Sequence, residues 1–336
     1  MTIELSLGCK SYPWIEPLID GDVSPTGVDL TVVDGYVSPD YFSRLLRHGD
    51  FDAAELSLGS YLAAMDSPEE YGVSAIPVFP HRRFRHSFLY VRAGSEYERP
   101  SDLNGATVGM PNWQFAAGLW LRGILGERHG LDLRSVEWKT AGSEIVPLDL
   151  GSEFDVTGIE MDYDDPVEAG GTGALKTVER LLADGEIDAA ITPTEYRSDG
   201  VERLFDDPFD REREYYRETG VFPIMHLIAV DDDVLDDHPW VANELYEAFV
   251  EAEGQRTSEY TMPGWFKRSP LVWSLEALED QFALFDGDPW EFGLTPDNRR
   301  TLETAVRYAA DQDLVDEPYD VEDLFVDGVG ENPFTA

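Results

Sequence analysis

Cysteine is all but missing from this chain. Cys9 is the only one in 336 residues, so no internal disulfide can form. Positive charge is scarce as well. Twenty-five lysines and arginines face 68 acids, for a net charge of -43, and only Lys10, Lys139, Lys176 and Lys267 are lysine. Nucleic acids and anionic membranes are bound through basic faces, so neither is an expected partner. No apolar run approaches the ~18 residues that cross a bilayer. Residues 1–8 lack a basic stretch followed by an apolar one and read as a first strand, so a cytoplasmic location is expected. Signature loops are absent too. There is no Gly-x-x-x-x-Gly-Lys, no Gly-x-Gly-x-x-Gly, no Gly-x-Ser-x-Gly and no His-Glu-x-x-His. None of the six histidines (His48, His81, His86, His129, His226, His238) is spaced as a metal pair, so a metal could enter only through long-range assembly. The lone thiol has no histidine near it in sequence, which argues against a cysteine nucleophile.

What is present is globular. Hydrophobic residues make up 42% and aromatics 12%, enough for a core serving one large or two medium domains despite the charge. A charge of -43 repels itself in dilute buffer, but at molar salt the screening length falls to roughly 3 Å. The composition looks like that of a protein from a salt-loving organism.

Strand and helix patterns alternate. Residues 3–7, 28–33, 74–77 and 88–92 read as strands, and 40–48, 60–65, 115–129, 177–184, 275–285 and 297–312 as helices, with another opening at Asp237-His238-Pro239-Trp240. Residues 151–173 are acidic and glycine-rich. They read as a surface excursion in which Phe154, Val156, Ile159 and Met161 hint at a hairpin. One echo organises the rest. Gly49-Asp50-Phe51-Asp52-Ala53-Ala54 and Gly185-Glu186-Ile187-Asp188-Ala189-Ala190 each follow a helix and open a strand with a polar end. Two α/β halves of one design imply two lobes with strand ends facing a shared cleft.

The chemistry gathers in one knot, His81-Arg82-Arg83-Phe84-Arg85-His86, set between apolar strands. Arginine offers a fixed donor fork that suits a small anion, and histidine moves protons near neutral pH. Surface pairing with the many acids would account for the arginines equally well. His226 sits inside the apolar run 221–230, the usual place of a core histidine, whereas His86 at a strand start is better placed for function. Glu55 and Ser57 end the first echo strand, and Thr192 ends the second. Asn112, Trp113 and Gln114 lie where a strand hands over to a helix, a favourable place for an anion or an ordinary turn with Trp113 as core.

These segments together resemble a known family. Phe51-Asp52-Ala53-Ala54-Glu55-Leu56-Ser57, Ile76-Pro77-Val78-Phe79-Pro80, Arg83-Phe84-Arg85-His86-Ser87, Trp120-Leu121-Arg122-Gly123, Thr219-Gly220-Val221-Phe222-Pro223-Ile224-Met225-His226 and His238-Pro239-Trp240 are similar to those of the 4,5-dihydroxyphthalate decarboxylases. The resemblance spans most of the chain. It implies an α/β, two-lobe type II periplasmic-binding-protein-like fold with a ligand cleft between the lobes. Residues 1–91 and 222–336 would form one lobe and 92–221 the other, with crossovers near 90–94 and 219–226. One loop departs from the family: Ser11-Tyr12-Pro13-Trp14 stands where relatives commonly carry Tyr-Asp-Arg-Thr, which bears on the substrate. Residues 151–173 have no clear counterpart.

The implied reaction is decarboxylation of a dihydroxylated aromatic dicarboxylate by protonation of the ring carbon. It calls for no cofactor, because the ring is its own electron sink. His86 or His226 would supply the proton, with Glu55 orienting a histidine. Arg83 and Arg85 would clamp the retained carboxylate, with Tyr12, Ser57, Asn112, Trp113, Gln114 and Thr192 lining the cleft. A non-catalytic binding protein for a small aromatic or other carboxylate is the alternative, favoured if His226 turns away from the cleft. The sequence leaves open whether the chain forms a homo-oligomer.

Overall fold

Eleven strands in two sheets make up the framework of the computed structural model, which describes residues 2–150, 152–159, 173–262, 264 and 270–330. They are β1 (Ile3–Gly8), β2 (Val28–Val33), β3 (Ala53–Ser57), β4 (Val73–Arg82), β5 (Leu89–Arg92), β6 (Thr107–Met110), β7 (Glu137–Thr140), β8 (Asp155–Gly158), β9 (Ala189–Ile191), β10 (Val201–Arg203) and β11 (Ile224–Asp231). The first sheet has the order β2-β1-β3-β11-β4 and the second β10-β5-β9-β6-β7-β8. The longer helices are α1 (Ser38–Ser43), α2 (Leu58–Met65), α3 (Ala116–His129), α4 (Gly173–Asp184), α5 (Pro208–Thr219), α6 (Val241–Thr261), α7 (Ser274–Leu284) and α8 (Pro296–Asp311). Parallel strands dominate each sheet, and each takes in one long-range antiparallel strand: β11 between β3 and β4, and β5 beside β9. Such sheets leave the carboxyl ends of their parallel strands along one edge, where ligands gather.

The echo noted in the sequence is structural. Gly49 and Gly185 both turn the chain with positive φ, 59° and 75°. Asp52 then accepts the Ser6 N–H of β1 at 2.7 Å, and Asp188 accepts the Thr107 N–H of β6 at 2.9 Å. Phe51 lies over Gly8 of β1 and Ile187 over Gly109 of β6, so closely that a Cβ on either glycine would fall 2.7 or 2.5 Å from the covering side chain. The same six-residue device stitches β3 to β1 and β9 to β6.

Two sequence expectations shift. Leu89, Tyr90 and Val91 are buried and pair with Ile191, Ala190 and Ala189, so β5 already belongs to the second sheet. The first passage between sheets therefore runs through 83–88, earlier than 90–94, because an apolar strand of this kind is buried in a sheet rather than left as a linker. The return follows α5, where Gly220 (φ 66°) releases the chain into β11. In the 151–173 excursion, Asp155–Gly158 runs parallel to β7 as an edge strand, not as an arm of a hairpin. Residues 160–172, Met161 among them, lie outside the described residues.

The halves pack against each other through a few close contacts. Gly59 in α2 sits against the Gln114 carbonyl, where a Cβ would fall 2.0 Å from the oxygen. Arg47 donates to the carbonyls of Glu144 and Ile145 at 2.7 and 2.9 Å. From the second half, Trp120 Nε1 donates to the Ile224 carbonyl of β11 at 2.7 Å.

Candidate active site

The geometry begins with two prolines. Pro77 and Pro80 have no N–H to give a ladder, and β4 is an edge strand, where proline is tolerated. In register, Ile228 of β11 faces Ile76, yet His226, two residues away, already faces His81, five residues along β4. The surplus bulges out. Its carbonyls find other donors: Pro77 O accepts Gly293 N–H at 2.8 Å and Pro80 O accepts Trp14 Nε1–H at 2.9 Å. Bulges re-aim side chains beside active sites. This one brings His81 opposite His226, with ring centroids 4.7 Å apart and planes at 75°.

On the other side of β11, Glu55 of β3 lies diagonal to His226, since His226 faces Ser57 and Ile228 faces Glu55. Glu55 is fully buried, and four donors converge on it. Oε1 accepts the Tyr12 hydroxyl at 2.6 Å and meets His226 Nδ1 in a short contact. Oε2 accepts Lys10 N–H at 3.0 Å and the Cys9 thiol at 3.7 Å. Burial alone would push the carboxyl up. The opposing pull of His226, with the Tyr12 and Lys10 hydrogen bonds, outweighs it and holds Glu55 below the usual carboxylate range. The same burial, followed by the nearby Glu55 charge, raises Tyr12 and Cys9, so both stay protonated as donors. Glu55 is thus an anchored anion that fixes the proton of His226 on Nδ1 and leaves Nε2 for a reactant.

The walls are aromatic. Tyr12 stacks on Trp14 at 5.6 Å and on His81 at 5.7 Å, Trp14 stacks on Trp290 at 3.9 Å, and Phe42 stands edge-on to His226 at 5.0 Å. His81 is driven far below its ordinary value, first by burial and then by His226, Arg85, Arg83 and Lys10, and is therefore a neutral imidazole. The three cations in that series show where positive charge collects in an otherwise acidic protein. A small anion reaching this edge meets Lys10, Arg83 and Arg85.

The other expected site residues divide. Arg83 is exposed, pairs with the exposed Glu195 at 3.0 Å and lies 4.6 Å over the Phe88 ring. Arg85 is buried, with Nε on Met225 Sδ and Nη1 on the Pro193 carbonyl at 3.0 Å, which makes it a fixed charge rather than a swinging clamp. Ser57 is buried and accepts Ala116 N–H at 3.3 Å, joining the end of β3 to the start of α3. Thr192 closes its own turn through Thr194 O at 3.1 Å. Asn112 Oδ1 accepts Phe115 N–H at 3.0 Å in the turn that leads into α3.

Trp113, Gln114 and His86 are corrected in placement. Trp113 is wholly buried, donates to Gln312 O at 2.9 Å and carries the Arg122 guanidinium 3.8 Å above its ring. Gln114 is buried and spent on Glu144 and Val146. Both belong to the core because partners far along the chain, in 144–146 and at 312, cover them. His86 does not join His226. Its ring neighbours are His129, Phe205 and Tyr215, under α5. Sequence reasoning passed over His81 and Lys10. The signal for His81 was its place in the cationic knot, but only strand register reveals that it faces His226. Among the described residues no group of three histidine, cysteine, aspartate or glutamate side chains could hold a metal ion, and no helix is long and apolar enough to cross a membrane.

No protein-family model matches the chain. It is 34% identical over 303 residues to a 4,5-dihydroxyphthalate decarboxylase of Comamonas testosteroni, covering 87% of either chain. It is also 34% identical over 223 residues to one of Pseudomonas putida, covering 64% of this chain and 82% of the relative. The periplasmic aliphatic sulphonate binding protein SsuA of Escherichia coli aligns over 98% of this chain and 99% of its own, with TM-score 0.53 and 14% identity. At that identity the likeness concerns fold alone, and the fold is the two-lobe type II periplasmic-binding-protein architecture.

Proposed function

The chain belongs to the 4,5-dihydroxyphthalate decarboxylase family, and on that premise we propose that it converts 4,5-dihydroxyphthalate to protocatechuate and carbon dioxide at the Glu55–His226 site. The observation that carries the reading is the buried Glu55 carboxylate held by four donors with His226 Nδ1 against it. A hydroxyl para to the departing carboxylate makes the carbon that bears it basic. His226 Nε2 delivers a proton there, and a C–H bond forms. The C–C bond then breaks, its electron pair returns to the ring, and carbon dioxide leaves. One proton is consumed per turnover and is restored to His226 from solvent. Glu55 keeps the imidazole oriented, with Nδ1 against the carboxylate. Neutral His81 is placed to hydrogen-bond a ring hydroxyl. Lys10 and Arg83 gather the retained carboxylate, with the fixed charge of Arg85 behind them. Tyr12 and Trp14, in the loop where this chain departs from its family, supply a flat wall for the ring together with Trp290, which stacks on Trp14.

The composition, with a charge of -43, supports placement in a salt-rich cytoplasm, so the assay belongs in molar KCl. Purified protein is incubated with 4,5-dihydroxyphthalate while carbon dioxide and protocatechuate are followed. Turnover that is abolished in His226→Ala and retained in His86→Ala is the expected result. Absence of turnover, with heat stabilisation by an aromatic carboxylate, would replace the enzyme with a binding protein.

A further inference from the structure

Trp14 and Trp290 stack with ring centroids 3.9 Å apart, yet they belong to distant segments, and both segments are mounted on the C-terminal end of α6. Residues 13–15 pack along α6, and next to them Glu16 pairs with Arg256 Nη2 at 2.9 Å. Thr257, the next residue of α6, takes the other segment. Its hydroxyl lies 2.9 Å from Asp288 Oδ2, while Asp288 Oδ1 accepts the Trp290 N–H at 2.9 Å. Asp288 therefore sets the turn that carries Trp290, and Thr257 holds Asp288.

The hold depends on a proton. Thr257 Oγ1 also makes a short contact with Glu253 Oε1, one turn back on α6. A hydroxyl has one hydrogen to give. Two ionised carboxylates cannot both accept it, and the one left over would face an oxygen lone pair and a like charge. Both contacts close when one carboxyl is protonated: Glu253 gives its hydrogen to Thr257 Oγ1, and Thr257 gives its own to Asp288 Oδ2. Glu253 is 8% exposed, so water does not readily replace a missing donor. Among the described residues no lysine or arginine pairs with either carboxyl. Arg256 is engaged with Glu16 and Glu259, and Arg82 of β4 donates to Asn298 Oδ1 and to the Glu291 carbonyl. The remaining charged neighbours, Glu291 beside the pair and Asp297 beyond it, are acidic.

We propose that Glu253, Thr257 and Asp288 form a proton-held latch that positions Trp290 against Trp14 and so controls the aromatic wall offered to the substrate ring. With the proton in place the wall is firm. Without it Glu253 and Asp288 repel, the Asp288 turn gives way and Trp290 leaves Trp14. Burial, joined by Asp288 and Glu291 and opposed by the Thr257 hydroxyl, pushes Glu253 up to about 7, so the latch opens as pH rises through neutrality. Glu253 touches no reacting atom and is a positioning residue. The consequence for the substrate rests on the wall assigned in the proposed reaction; the latch itself does not.

The test labels the full chain with 5-fluorotryptophan and follows the fluorine resonances without substrate, at fixed KCl, across roughly pH 5.5–8.5. Trp14→Phe and Trp290→Phe identify the two signals. In the parent both should move with a midpoint near 7. In Glu253→Gln the amide donates to Thr257 at every pH, so the signals should stay at their acid positions. In Thr257→Val the link is missing, and they should stay at their alkaline positions. Signals that do not titrate in the parent overturn the latch, as does a Thr257→Val protein that titrates like the parent. Equal titration in Glu253→Gln also overturns it and assigns the change to a histidine near the wall. Kinetics with 4,5-dihydroxyphthalate reads the consequence. The ratio of KM in the parent to KM in Glu253→Gln should rise about threefold or more between about pH 6.5 and about pH 8, with the kcat ratio steady. A constant KM ratio would overturn the link to the wall. Absence of turnover would remove the decarboxylase reading and leave the fluorine result standing.

Discussion

His81 and His226 face each other across β4 and β11, yet among the described residues only His226 touches a carboxylate. The pair is therefore unequal. His226 is held by Glu55, while His81 is kept neutral by burial, then by His226, Arg85, Arg83 and Lys10. His226→Asn should cost 10²–10⁴-fold in kcat, the usual range for a lost general acid. His81→Asn preserves a neutral hydrogen-bonding side chain and should cost about tenfold or less, mostly in KM. Steady-state kinetics on both variants checks this, and equal losses would refute the division of roles.

Glu55→Gln tests the anchor. The amide retains the shape of the carboxylate, but its NH2 faces donors already aimed at Oε2, the Lys10 N–H and the Cys9 thiol. Donor against donor in a buried site should destabilise the fold by about 1–3 kcal/mol. Activity should fall at least a hundredfold, beyond what the stability loss explains, because His226 loses its counter-charge. Thermal unfolding beside turnover on the same preparation separates the two effects.

Acid should weaken the fold through His86. Burial, then His129, Arg211 and Arg128, push its value down to about 3, while an unfolded histidine binds a proton near 6.5. Between those values the unfolded chain holds more protons. This contribution is complete above 6.5 and is lost as pH falls toward 3. Glu253, pushed up to about 7 by burial, works the other way, so its contribution fades as pH rises through that value. Comparing His86→Phe with the parent cancels Glu253. The variant should flatten stability against pH by up to one proton, about 1.4 kcal/mol per pH unit between pH 5 and 6. Urea midpoints at several pH values measure it, and an unchanged slope would mean that His86 is charged in the fold.

The echo supplies a packing test. Gly109→Ala should cost about 1–3 kcal/mol, because the new Cβ lands 2.5 Å from Ile187 Cδ1. Ile187→Val deletes that carbon, so the double variant should be more stable than the sum of the singles by more than about 0.5 kcal/mol. Gly8→Ala meets the Phe51 ring at 2.7 Å and has no such one-atom remedy. Denaturant melts of the four proteins close the cycle, and simple additivity would show that the contact relaxes elsewhere.

How far the sequence reached depended on the distance between partners. The Gly-x-x-Asp-Ala-Ala echo was readable because each copy is local, and it led directly to Glu55 at a strand end. His226 looked like core because its strand is apolar, and nothing in the run 221–230 reveals a carboxylate 171 residues earlier. His81 escaped notice for a related reason: its pairing depends on how Pro77 and Pro80 spend the surplus residues of β4. Trp113 looked like a cleft residue because the partners that bury it, Arg122 and Gln312, come later in the chain and one of them very late. Local chemistry marks elements well, but register and long-range cover decide which side chains remain open.

The central place of β11 in the first sheet also dictates a timetable for synthesis. All strands of the second sheet lie between residues 89 and 203, so it can assemble while the ribosome is still at work. The first sheet has a vacancy between β3 and β4 until residues 224–231 emerge. Glu55 is made early and waits without its imidazole until β11 arrives beside it. A nascent chain stopped before residue 226 therefore holds ten of the eleven strands but no proton donor, and it still lacks α6, α7 and α8, with the Trp290 and Gln312 that complete the wall and the core.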